Sequence, residues 1–144
     1  MEIERQERIV AAARAWIGTP YHHQASLKGV GCDCLGLLRG GWREVMGVEP
    51  ESPPAYAWDW AEATGEETLQ EAAARHLAPI DRTAWARGDV LLFRMARTAP
   101  AKHCGIVTSP THMIHAWTGH SVAEVPLGVF WTRRIAFAFR FPSA

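Results

Sequence analysis

No apolar run in this 144-residue chain is long enough to span a bilayer, and neither sign of charge prevails. Its 15 Lys/Arg and 15 Asp/Glu cancel, so no overall field draws it to nucleic acid or to an anionic membrane surface. Only 3 cysteines are present, Cys32, Cys34 and Cys104. An odd count excludes a complete disulfide framework, and cysteines one residue apart rarely pair with each other. The N-terminal stretch MEIERQERIVAAARAW is charged from its second residue and has no apolar core followed by a small-residue cleavage site. Synthesis in the cytoplasm with reduced thiols is therefore expected, and any target outside must be reached by a route other than ordinary secretion. Internal repeats and low-complexity segments are also lacking, so residues 1–144 are read as one domain.

What is there is a core-forming composition, 48% hydrophobic, with 7 tryptophans. That is many for the size, and some must lie at the surface, where Trp often marks a ligand groove or a partner contact. Two stretches carry the chemistry. In Gly31-Cys32-Asp33-Cys34-Leu35-Gly36-Leu37-Leu38, a cysteine sits where a Gly-rich polar loop gives way to an apolar run. At such a loop-to-helix junction, unpaired backbone N–H groups and the positive end of the helix dipole favour thiolate over thiol. In Lys102-His103-Cys104-Gly105-Ile106-Val107, a histidine opens an apolar, β-branched strand. A thiol activated by a histidine is the simplest arrangement for acyl transfer at neutral pH. Cys34 is the candidate nucleophile and His103 its base.

Along the chain, apolar residues from Ile3 to Ile17 recur near helical spacing, which predicts a helix over 2–17 with Gly18 closing it. Residues 21–31 read as a loop. A second helix is predicted from Cys34 to about Met46, ended by Gly47. Gly36, Gly40 and Gly41 weaken it by roughly 1 kcal/mol each, so they predict close packing against another element. Residues 48–64 are Pro-rich and aromatic, an ordered loop whose Tyr56, Trp58 and Trp60 either wall a substrate groove or cover the core edge. Thr64 and Glu67 match a capping box, predicting a helix to about Leu77, and 78–87 reads as a connection. Strands are predicted at 90–95, 103–108, 113–117, 122–125 and 135–141, with turn signals between them. Helices first and an antiparallel meander second make an α+β layout, N-terminal helices packed on a sheet of about five or six strands.

His103 and His115 are twelve residues apart. A hairpin with a short turn sets them at neighbouring positions on one sheet face, where one ring can take the thiol proton and the other orient it. His22, His23, His76, His112 and His120 lack such pairing and default to surface roles. Cys32, Cys34, His103 and Cys104 also admit a zinc site, but a one-residue gap strains chelation, and no metal is expected. Next to His103, Cys104 should point to the opposite strand face, into the core.

Gly18-Thr19-Pro20-Tyr21, Gly31-Cys32-Asp33-Cys34-Leu35-Gly36-Leu37, His103-Cys104-Gly105-Ile106-Val107 and Ile114-His115-Ala116 together resemble the NlpC-type cell-wall peptidases, cysteine endopeptidases of compact papain-like fold. The resemblance spans about residues 8–141. It implies that Cys34 is the nucleophile, His103 the base and His115 the third, orienting residue. It sets Tyr21 beside the oxyanion and Asp33 near the substrate's peptide stem, with no cofactor. The implied substrate is the peptide stem of bacterial peptidoglycan, often cut between D-glutamate and a diamino acid. Two departures stand out: Leu35 replaces the usual Ser, and Gln24-Ala25 replaces the usual Gly-Gly pair. A bare catalytic domain without a leader resembles the branch carried by phage tails and gene transfer agents. Phage-like tail proteins are then expected partners, with the enzyme tail-associated and acting on the wall in the periplasm. Alternatives are a non-catalytic tail or wall-binding module of the same fold, and a thiol-dependent acyltransferase or amidase.

Overall fold

A computed structural model describes residues 2–50 and 67–142. Tyr56, Trp58, Trp60 and Thr64 lie outside the described residues. In chain order the elements are α1 (Glu2–Ala15), β1 (Ser26–Leu27), β2 (Gly31–Cys32), α2 (Cys34–Val45), α3 (Thr68–His76), β3 (Ala78–Ile80) and β4 (Val90–Phe93). They continue as β5 (His103–Ser109), β6 (His112–Trp117), β7 (His120–Pro126), α4 (Val129–Thr132) and β8 (Ile135–Arg140). The six-stranded sheet has the order β3-β8-β4-β5-β6-β7, antiparallel at every pairing. This is the α+β layout expected from the sequence. Among the described residues no helix is long and apolar enough to cross a membrane.

Alternation along the strands builds two apolar layers. Val90, Leu92, Cys104, Ile106 and Ile114 face a layer shared with Ile9, Ala13 and Trp16 of α1 and Leu37 of α2. Leu91, Phe93, Val107 and Met113 face a second layer with Leu127 and Ile135, edged by Trp85 and Trp131. α1 is shorter than the predicted helix, and Ile3 and Ile17 are exposed, because the core-facing stripe is carried by the residues from Ile9 to Trp16.

Close packing explains the glycines of α2. A Cβ on Gly36 would lie 1.9 Å from the Ala25 carbonyl oxygen, and one on Gly40 would lie 2.0 Å from the Trp16 ring. The loop before the helix and α1 beside it are both seated directly on its backbone. Gly41 is different: the nearest atom to a Cβ there is Ile106 Cδ1 at 3.9 Å, an ordinary contact.

The helix from Thr68 forms, but Glu67 does not cap it through a side-chain hydrogen bond. Its carboxylate instead accepts from the Ala101 N–H at 2.9 Å and pairs with Arg94, tying the helix start to the segment that enters β5. Two predicted irregular stretches are partly regular. Ala78–Ile80 adds an edge strand to β8, and Ser26–Leu27 pairs with Gly31–Cys32 in a small hairpin. At two and three residues these strands are too short for an alternation signal. The four-residue α4 is short for the same reason.

The two neighbouring glycines give opposite expectations. Gly40→Ala drives a methyl into Trp16 and should destabilise the fold by about 1–3 kcal/mol. Gly41→Ala meets open contact and should be neutral or stabilising by up to about 1 kcal/mol. Urea melts of both variants measure this, and equal effects would show that α1 and α2 are not closely seated at Gly40.

Candidate active site

α2 begins at Cys34 because Asp33 caps it. The Asp33 backbone is extended, and its Oδ1 accepts from the Gly36 N–H at 2.7 Å, while Oδ2 accepts from the Gln24 N–H at 2.8 Å. Only 3% exposed, Asp33 has both oxygens engaged within the chain, with His23 Nδ1 a further 3.8 Å from Oδ2. The resemblance sets this residue near the substrate; in the structure its carboxylate holds the helix start and the preceding loop. Cys34 is thereby fixed as the first helical residue, half-buried, with the N–H groups of the first turn lacking intrahelical acceptors.

His103 and His115 meet as the hairpin argument requires. Ile106 pairs with Ile114 and Val107 with Met113, which sets both histidines on one face, and His103 Nε2 lies 2.8 Å from His115 Nδ1. Both rings are buried, at 7% and 6% exposure. Burial, with the charges of His103 and His120, pushes His115 down to about 3, so it is neutral at any ordinary pH. In the tautomer of neutral His115 that leaves Nδ1 unprotonated, His103 Nε2–H donates to it, and Nδ1 of His103 is then the ring nitrogen available to the Cys34 thiol, to which His103 is a hydrogen-bond partner.

Cys34 is held well below the ordinary thiol value. The largest cause is a hydrogen bond from the Cys104 thiol; the hydrogen bond and charge of His103 add to it, against the cost of burial and the nearby Asp33. Cys104 does point into the core, as predicted, but the core at that point is the underside of Cys34. The single Cys104 thiol proton is shared between the Cys34 sulfur and the Cys34 carbonyl oxygen, which lies 3.3 Å from the Cys104 sulfur, and the Cys34 sulfur lies 3.6 Å from the Lys102 carbonyl. Cys104 itself is driven well above the ordinary value by the Cys34 sulfur and by burial. Cys32, fully buried, is pushed up to about 12 and stays a thiol. Of the three cysteines, Cys34 alone is driven down, while Cys32 and Cys104 are driven up.

Tyr21 pairs by an isolated bridge with Cys32, packs on the same core and lies within hydrogen-bonding reach of Thr118. Burial raises its phenol, so it keeps its proton and can donate. Around the histidines stands a shell that the sequence did not single out. The Trp131 ring lies 5.3 Å from His103 and 5.1 Å from His115, Trp117 lies 4.8 Å from His103, and Phe93 lies 5.8 Å from it. Trp117 stands two residues beyond His115 and so on its face, a signal that was available. Trp131 comes from α4, which has no periodicity to place it. Among the described residues no group of three or more His, Cys, Asp or Glu is arranged to hold a metal ion.

Residues 18–140 match the model of the NlpC/P60 family. The chain belongs to the NlpC/P60 family. Solved structures of members share its fold. The NlpC/p60 domain of peptidoglycan hydrolase SagA is 24% identical with a TM-score of 0.68, the match covering 94% of this chain and 98% of that one. An NlpC/P60 family protein from Bacillus cereus is 18% identical with a TM-score of 0.69, over 94% of this chain and 40% of that one. A hypothetical invasion protein of Mycobacterium tuberculosis is 19% identical with a TM-score of 0.65, over 97% of this chain and 63% of that one. This NlpC/P60 chain thus spans well under half of the Bacillus protein. No curated protein matches the sequence.

Two measurements probe the electrostatics of the site. Because the folded state holds His115 neutral down to about 3 while the unfolded chain protonates it near 6.5, stability contributed by this group is full above that range and falls as pH drops through it. The loss is about 1.4 kcal/mol per pH unit, and His115→Asn, which keeps an acceptor toward His103, should flatten this acid limb in denaturant melts. An unchanged limb would mean His115 is already charged in the fold. Separately, Cys104→Ala should raise the pH midpoint of Cys34 alkylation by iodoacetamide, whereas Cys104→Ser, which retains a donor, should raise it less. A common midpoint for the three proteins would remove Cys104 from the stabilisation of the thiolate.

Proposed function

We propose that this NlpC/P60 chain is a cysteine endopeptidase that hydrolyses peptide stems of bacterial peptidoglycan. The observation that carries the reading is the 2.8 Å contact between His103 Nε2 and a neutral His115, set beside a thiol that the site holds as thiolate. A histidine oriented by a neutral partner and paired with a thiolate is the chemistry of acyl transfer, not of a structural cysteine.

In the proposed reaction the Cys34 thiolate attacks the carbonyl carbon of a stem amide, while His103 holds the proton that the thiol has given up. The oxyanion faces N–H groups of the first turn of α2, with the Tyr21 hydroxyl as a further donor; one such donor is typically worth about 2.7–4 kcal/mol. His103 protonates the leaving amine as the C–N bond breaks, leaving a thioester on Cys34. Water then attacks the thioester, His103 accepts its proton, and the product carboxylate leaves with the thiol restored. His115 keeps His103 in one tautomer throughout, a role that needs an acceptor and not a negative charge.

Cleavage between D-glutamate and a diamino acid, and carriage to the wall by a phage-like tail, are finer parts of the same proposal. The four motifs that resemble the NlpC-type peptidases support the choice of bond; carriage by a tail is an expectation that the motifs do not bear on. The family's association with peptidoglycan in the SagA domain supports the substrate class.

The deciding experiment is digestion of purified diaminopimelate-type peptidoglycan by wild type and by Cys34→Ala, with mass spectrometry of the released fragments. Wild type should release stem fragments whose new ends name the bond. Cys34→Ala should lower the rate at least about a thousandfold at a nearly unchanged melting temperature. Equal fragment release by both would refute the nucleophile. A folded, labelled wild type that releases nothing would favour a binding module of the same fold.

A further inference from the structure

Beyond lowering the Cys34 thiol, Cys104 is placed for a second reaction. The Cys34 and Cys104 residues are placed reciprocally. The Cys104 sulfur lies 3.3 Å from the Cys34 carbonyl oxygen, and the Cys34 sulfur lies 3.6 Å from the carbonyl of Lys102, two residues before Cys104. Each sulfur thus lies against the backbone that carries the other. Cys34 is half-buried and open to a small reagent, whereas Cys104 is 1% exposed and out of reach of anything but Cys34. Cys32, also free, is fully buried in the same apolar layer. A half-buried cysteine whose thiol is driven down, with a shielded thiol against it, is the pairing of an oxidisable cysteine and its resolving partner.

We propose that Cys34 is a site of reversible oxidation, and that Cys104 resolves it by forming a Cys34–Cys104 disulfide. The oxidant is a hydroperoxide. The Cys34 thiolate attacks its terminal oxygen, an S–O bond forms and the O–O bond breaks. The sulfur is oxidised to sulfenic acid, and the peroxide is reduced to an alcohol or to water after taking up a proton. The Cys104 sulfur then attacks the Cys34 sulfur: the S–S bond forms, the S–O bond breaks, and hydroxide departs with the Cys104 proton as water. What disfavours a Cys104 thiolate in the resting site is first of all the Cys34 sulfur itself. Once Cys34 carries a neutral sulfenic acid, that largest opposition is removed and burial remains, so oxidation of Cys34 favours attack by Cys104. A low-molecular-weight dithiol reverses the bond by exchange. The disulfide occupies the nucleophile and silences it, and it also diverts Cys34 from sulfinic acid, which is not recovered by thiols.

The test is a titration of the whole chain with hydrogen peroxide, read by intact mass and by peptide mapping after blocking free thiols. The mass readout does not depend on whether the chain cleaves peptidoglycan. Wild type should become two hydrogens lighter, yield a linked peptide pair containing Cys34 and Cys104, keep Cys32 free for alkylation, and recover its starting mass with dithiothreitol. Cys104→Ser, which cannot form the bond, should instead gain two oxygens at Cys34, and dithiothreitol should not remove them. Cys32→Ala should behave as wild type, which keeps the test intact even where Cys104→Ser folds poorly. The proposal is overturned if wild type gains two oxygens at Cys34 as readily as Cys104→Ser, or if the linked pair contains Cys32.

Discussion

The site depends on where α2 begins, and one buried carboxylate sets that point. Asp33 bonds the Gly36 N–H with one oxygen and the Gln24 N–H with the other, so a single side chain fixes both the first turn of the helix and the loop that leads into it. Capping of this kind is typically worth about 0.5–2 kcal/mol as stability. Its structural consequence is larger than that figure implies. Shifting the start of α2 by one residue would rotate Cys34 by about 100° around the helix axis and take its sulfur away from His103 and Cys104. Gly36 contributes from the other side, since only a missing Cβ lets the Ala25 carbonyl sit against this turn.

The second constraint is electrical neutrality beside the proposed Cys34–His103 pair. A carboxylate in the place of His115 would stabilise the charged form of His103 but would also bring a third charge into a buried space. Neutral His115 supplies orientation without it, and its own depressed value shows how poorly this environment accommodates another cation. The rings of Trp117, Trp131 and Phe93 make that environment. They surround the His103–His115 contact, whose two rings are buried. Such a shell strengthens a hydrogen bond and raises the cost of leaving it unmade. The same reasoning extends to Cys104: a shielded thiol donor stabilises the Cys34 charge where a solvent molecule would otherwise be needed.

The elements readable in the sequence were those long enough to show a period. α1, α2 and the strands β4 to β8 each carried either a helical stripe or a run bounded by turn residues, and the twelve-residue interval between His103 and His115 translated into adjacency because a hairpin converts sequence distance into register. The unreadable elements, β1, β2, β3 and α4, are each of two to four residues and owe their existence to tertiary pairing. Within the site the division is similar. Cys34 and His103 declared themselves through local context, a loop-to-helix junction and a strand opening. Trp131 and the partnership of Cys104 with Cys34 did not, because each depends on a contact between segments whose relative placement no local pattern encodes. The Thr64–Glu67 signal illustrates the converse: Glu67 lies at a helix start, yet tertiary partners at Ala101 and Arg94 claim its carboxylate.

The loop before the nucleophile shows how one departure in sequence is absorbed. Where the resemblance implies a glycine pair, this chain has Gln24-Ala25, and among the described residues Gln24 is the one non-glycine residue with positive φ, at 66°. A side chain in that region costs about 1–2 kcal/mol. The offset is local and charged. The Gln24 N–H donates to Asp33 Oδ2 at 2.8 Å, and a hydrogen bond to a charged group contributes about 1.5–3 kcal/mol. The strain and its compensation therefore meet at the same residue that caps α2. Relaxing Gln24 would forfeit the bond to Asp33 and loosen the cap, whereas holding it keeps the Ala25 carbonyl pressed onto Gly36 and accepting from the Asp33 N–H at 3.3 Å. Loop and helix start are in consequence one mechanical unit. A change in the loop that breaks this unit reaches the thiol through Asp33, without any contact between the altered side chain and the sulfur.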